Sequence, residues 1–148
     1  MTFRPTGIVI HHTVTSEHAT PADINRIHKA RGFSGIGYHA LVHRARGDDW
    51  VIGDGRDDEN MGAHAKGANS SNLGVALAGN YEHTKPAEAA VAMLVGQCLA
   101  WCIQYDIDPG RIVAHNQAGS TATVCPGLIP VGRIRDAVRS AMPHIPEH

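Results

Sequence analysis

The sequence predicts a single-domain α/β fold, a central mixed β-sheet flanked by helices. Three observations predict it. Ile8-Val9-Ile10 is an uninterrupted β-branched run, which fits a strand covered on both faces. Tyr38–His43 and Trp50–Ile52 flank the turn residues Arg46-Gly47-Asp48-Asp49, so one pair of strands forms a hairpin and the sheet cannot be all parallel. Helical periodicity alternates with these strands. At 148 residues the chain has the length of one domain, taken as 1–148.

The elements follow in order. Gly7–Thr13 is the first strand, ending in polar residues. Thr20-Pro21-Ala22-Asp23 starts a helix, with Thr as N-cap, Pro at the first helical position and Asp facing back into the first turn. Ile24, Ile27 and His28 share one face, the helix reaches about Arg31, and Gly32 ends it. The hairpin strands come next. From Gly53 to Ser71 the chain is rich in Gly, Asp, Asn and Ser without periodicity, a long loop of the kind that often carries function. Its Asp54, Asp57, Asp58 and Glu59 lack the calcium-loop spacing and read as a solvated acidic loop. Leu73–Ala78 is a fourth strand. Beginning near Pro86, the residues Val91, Leu94, Val95, Cys98, Trp101, Cys102 and Tyr105 trace one buried helical face. Arg111–Ala114 is a short strand ending at His115, Asn116–Gly127 a small-residue loop, and about 131–142 a final amphipathic helix.

Composition excludes several functions. Hydrophobic residues make up 43% and charged residues 18%, the balance of an ordinary globule. A net charge of −1 and 5% aromatic residues supply neither the field nor the stacking surface of a nucleic-acid binder. Ala89–Tyr105 carries no formal charge, but it falls short of the roughly 20 residues that span a bilayer, and no membrane partner is expected. The N-terminus lacks an apolar core segment, so no signal peptide is expected. There is no HExxH, no GxSxG and no phosphate loop.

Eleven histidines point toward metal or proton chemistry. His11 ends the first strand, His115 ends the last, and Cys125 lies in the following loop, just before Pro126 and Gly127, which fix the backbone around the sulfur. Two imidazoles and a thiolate make a three-ligand zinc set with one position open. Spacing alone does not select these three, since His11 and His115 are far apart in sequence. Cys98 and Cys102 sit on the apolar face of a helix and read as inert core. Strand alternation turns His12 away from His11, and His39 away from Tyr38, so only one of each pair can point at a given site.

Val9-Ile10-His11-His12-Thr13, Gly37-Tyr38-His39, Gly62-Ala63-His64-Ala65, Asn69 with Leu73-Gly74-Val75, Gly79-Asn80-Tyr81, His115 and Thr123-Val124-Cys125-Pro126-Gly127 occur in this order. Over about residues 7–127 this resembles the type 2 N-acetylmuramoyl-L-alanine amidases, which include phage endolysins of the T7 lysozyme type and peptidoglycan recognition proteins. The resemblance implies their fold and a zinc hydrolase that cuts the amide between the lactyl group of N-acetylmuramic acid and L-alanine. It implies one zinc held by His11, His115 and Cys125, catalytic roles for Tyr38 and Thr123, and a substrate groove touched by His64 and Asn69. Tyr38 and Thr123 suit hydrogen bonding to the oxyanion of the tetrahedral intermediate, and Tyr38 is the first candidate to act on the attacking water. Bacterial peptidoglycan is the implied partner and a monomer the expected state. A phage endolysin would pass from the host cytoplasm to the wall; otherwise an extracellular role within a larger protein is expected. Two other readings stay open: a non-catalytic peptidoglycan-binding module of the same fold, a role typical of members lacking the cysteine, and a zinc peptidase cutting within the stem peptide.

Overall fold

The structure, a computed structural model, describes residues 3–143. Five strands form one sheet in the order β3-β2-β4-β1-β5. They are β1 (Gly7–His12), β2 (Ala40–Arg44), β3 (Trp50–Asp54), β4 (Asn72–Leu77) and β5 (Ile112–Ala114). β1 runs parallel to both β4 and β5, β2 runs parallel to β4, and β3 closes the edge antiparallel to β2. The sheet is mixed, as the hairpin requires. Three α-helices cover it among the described residues: α1 (Pro21–Ala30), α2 (Glu88–Tyr105) and α3 (Val131–Ala141).

Every residue of β1 is buried, which is why its sequence does not alternate. Its two faces nevertheless have different neighbours. Ile8 and Ile10 join Leu73, Val75, Leu94, Trp101, Ile134 and Val138 in the core beneath α2 and α3. Val9 packs with Ala65 and Ala68 of the long loop on the opposite face. His11 shares the parity of Val9 and is thereby directed to the face that α1 and the long loop cover. Leu41, Ala76 and Ile24 make a third, smaller cluster on that side.

α1 begins on a reciprocal cap. Asp23 N donates to Thr20 Oγ1 at 3.2 Å, and Thr20 N donates to Asp23 Oδ2 at 2.9 Å. α2 buries one face, with Cys98 and Cys102 inside the core, and leaves the other face, including Ile103, exposed. No helix of the described residues is long and apolar enough to cross a membrane.

Two local readings need correction. The second strand begins at Ala40, two residues later than expected, because the backbone before it is held by α1 and the long loop: Gly37 N donates to His28 Nδ1 at 2.8 Å and Arg56 N to the Tyr38 carbonyl at 2.8 Å. The acidic loop is not merely solvated. Trp101 Nε1 and the Tyr105 hydroxyl of α2 donate to Asp58 Oδ2 at 3.1 and 3.3 Å, pinning the loop to the helix.

Candidate metal centre

β1 and β5 are parallel neighbours, and their carboxyl ends open on the same edge of the sheet, the usual place for a ligand in such folds. His11 is the penultimate residue of β1, and His115 opens a short turn directly after β5. The loop beyond His115 folds back so that Asn116 N donates to the Cys125 carbonyl at 2.8 Å. Cys125 N donates to Thr123 Oγ1 at 3.1 Å, and His12 N donates to Cys125 Sγ at 3.2 Å. Gly127 has φ +65° and lies so close to the Tyr81 carbonyl that a β-carbon there would meet it. One ligand atom from each of His11, His115 and Cys125 lies within 4.8 Å of the other two.

This donor set fits zinc. Cys125 Sγ lies 3.9 Å from His11 Nδ1. Tetrahedral zinc with ordinary Zn–N and Zn–S bonds would set these atoms about 3.6 Å apart, so a small inward shift would bring this pair to that spacing. Burial, reinforced by His64 and His115, holds the His11 pKa well below the ordinary histidine value, and the neutral ring keeps a lone pair to donate. Burial pushes the Cys125 thiol up to about 11, against the opposing pull of the His12 N–H, so a metal must displace its proton on binding.

The three residues line a cleft of about 660 Å³. Tyr38 and Thr123 line it. The Tyr38 ring stands 5.1 Å from that of His11 and 5.3 Å from that of His28, and its hydroxyl has no hydrogen-bond partner among the described residues. Burial, with Cys125 nearby, pushes the phenol above its ordinary pKa, so it remains a donor. Arg31 and Lys66 bring positive charge to the cleft, and Val14 and Phe33 bring exposed apolar surface. Val14 has φ 56°, a left-handed conformation that a β-branched residue rarely adopts.

His12 and His39 take up supporting positions. His12 Nδ1 accepts from Tyr81 N at 3.0 Å, and His39 Nδ1 accepts from Gly74 N at 3.0 Å. His64 and Asn69, expected in the groove, both line the cleft and are also tied into the protein by hydrogen bonds. His64 is buried, its Nδ1 lies 2.9 Å from His11 Nε2, and its Nε2 lies 3.0 Å from the Asn72 carbonyl. Both ring nitrogens are thus engaged inside the protein. Asn69 Oδ1 accepts from His64 N and Ala65 N, each at 2.8 Å, which fixes the loop beneath the cleft. Asn72 escaped notice in the sequence, and Gly74 entered only as part of the family pattern. The available signal was the glycine itself, since a glycine inside a strand marks close approach by another group.

The family profile for N-acetylmuramoyl-L-alanine amidase matches residues 1–128. The endolysin of Escherichia phage T7 is 34% identical over 78 residues, 51% of this chain and 49% of the endolysin. The chain spans about half the length of the curated phage relatives it matches first. Among solved structures, the N-acetylmuramoyl-L-alanine amidase LysC from Clostridium intestinale URNW is 33% identical with a TM-score of 0.82, covering 93% of this chain and 87% of that one. Peptidoglycan recognition protein-LE, solved in complex with tracheal cytotoxin (a monomeric diaminopimelic acid-type peptidoglycan), is 26% identical with a TM-score of 0.74, over 92% and 83% of the two chains. With most of its length matched by the profile and nearly all of it superposed on a solved amidase, the chain belongs to the type 2 N-acetylmuramoyl-L-alanine amidase family.

Proposed function

We propose that this protein is a zinc-dependent N-acetylmuramoyl-L-alanine amidase that hydrolyses the bond between the lactyl group of N-acetylmuramic acid and L-alanine in bacterial peptidoglycan. The observation that carries this reading is the convergence of His11, His115 and Cys125 on the wall of a cleft. A cleft with both charged and apolar walls suits a substrate that joins a sugar to a peptide.

Zinc held there would supply Lewis-acid activation of the carbonyl and a nucleophile at neutral pH. The chain's own groups do the rest. Tyr38, protonated and without a hydrogen-bond partner among the described residues, donates to the oxygen that gains charge as the carbonyl becomes tetrahedral. The Thr123 oxygen already accepts from Cys125 N, which leaves its hydroxyl proton to donate into the cleft. His12 N–H stabilises the sulfur once it has lost its proton.

Digestion of purified peptidoglycan tests the proposal. Stem peptides beginning with L-alanine should be released, the reaction should stop with chelator, and zinc should restore it. Binding without cleavage would establish the non-catalytic module instead. Fragments in which muramic acid still carries L-alanine would establish a peptidase.

A further inference from the structure

We propose that His64 is a positioning residue which, together with the Asn72 carbonyl, sets the tautomer in which His11 meets the metal. This rests on the zinc reading above. A carbonyl oxygen can only accept, so the proton of neutral His64 sits on Nε2 and is donated to Asn72, 3.0 Å away. His64 Nδ1 is then left with a lone pair. At 2.9 Å it accepts from His11 Nε2. The proton of His11 is therefore held on Nε2, and His11 Nδ1, the nitrogen 3.9 Å from Cys125 Sγ, is left free to bind a metal. Reversed, the pattern would place a proton on the atom that faces the triad. A metal-bound histidine whose outer N–H is fixed in this way keeps its orientation and gains basicity.

The surroundings are shaped for this ring. A β-carbon on Gly74 would lie 2.6 Å from His64 Cγ, and one on Gly62 would lie 2.6 Å from His64 Cδ2. Asn69 Oδ1 anchors the backbone of the same residue through two N–H donors. Gly74 carries no positive φ, so its lack of a side chain serves space and not backbone conformation.

The test is zinc affinity, measured by chelator competition on the full chain, with the melting temperature of each metal-free variant recorded alongside. His64→Leu removes the acceptor and should weaken zinc binding by roughly 10- to 100-fold. His64→Asn places Oδ1 near the position of the lost Nδ1 and should bind within a few-fold of wild type. Gly74→Ala crowds the ring and should fall in the direction of His64→Leu. Wild-type affinity in His64→Leu would overturn the proposal, as would an equal loss in His64→Asn. Wild-type protein that takes up no zinc would overturn the zinc reading itself. Nitrogen-15 histidine spectra of the zinc-loaded wild type give a readout independent of variant folding. Protons on His11 Nε2 and His64 Nε2 are expected, and a proton on His64 Nδ1 would overturn the assignment.

Discussion

The backbone N–H of His12 points at Cys125 Sγ from 3.2 Å, across 113 residues of sequence. A main-chain donor keeps its place when the side chain it serves is changed. Asn116 N likewise holds the Cys125 carbonyl, not its sulfur. Cys125→Ser should therefore fold with a metal-free melting temperature near that of wild type. Its zinc affinity should drop by more than the roughly 10- to 100-fold typical of changes outside the ligand shell. Elemental analysis and calorimetry on one preparation check both halves; full zinc retention would remove Cys125 from the ligand set.

Tyr38 is held by its backbone as well as its ring. Its carbonyl accepts from Arg56 N, and the preceding residue, Gly37, is fixed by His28. Tyr38→Phe should leave fold and zinc content unchanged while lowering kcat by about 10²–10³, the usual cost of one oxyanion donor. Turnover on cell-wall fragments close to wild type would mean that the phenol only packs.

The sheet and helices were legible because their signals are local. A buried β-branched run, a Thr-Pro-x-Asp start and a helical stripe each declare themselves within a few residues. His11, His115 and Cys125 came into view through the family pattern, since no local rule joins residues 11, 115 and 125. His64 could not be placed this way. Its role depends on a carbonyl eight residues later and on the space above Gly74, and neither has a sequence signature of its own. Asp58 illustrates the same limit, because its partners Trp101 and Tyr105 lie on a helix that the loop meets only in the folded chain.

Histidines outside the candidate metal centre should govern the acid limit of stability. His28 Nδ1 accepts from Gly37 N and His39 Nδ1 accepts from Gly74 N, so protonation would cost each a hydrogen bond. Burial is the main cause holding both below the ordinary value; nearby arginines assist at His28, while Asn60 and Asp58 oppose it at His39. The unfolded chain takes up these protons near pH 6.5 and the folded chain resists them. Stability should then be complete above about pH 6.5 and decline as the pH falls from there toward the lowered folded values, by at most about 1.4 kcal/mol per pH unit for each histidine. His28→Asn keeps an acceptor for Gly37 N but does not titrate. Urea unfolding of metal-free protein should show a shallower decline in that variant, and an unchanged slope would exclude His28 as a contributor.

Val14 lies on the cleft wall with φ 56°, and its N–H is tied to the Gly79 carbonyl at 2.8 Å. The hydrogen bond keeps the residue in a left-handed conformation that costs a side chain with a β-carbon roughly 1–2 kcal/mol, with β-branching making it less favourable still. Asparagine tolerates this region far better. The valine is 56% exposed, so replacing it forfeits little burial. Val14→Asn should therefore stabilise the metal-free protein by about 1 kcal/mol, a rise in melting temperature of about 2–4 °C for a domain of this size. The same change removes apolar surface from the cleft. If the strain is retained for the sake of substrate contact, the stabilised variant should show a higher KM on peptidoglycan fragments at unchanged kcat. An unchanged or lowered melting temperature would show that Val14 is not a strained position.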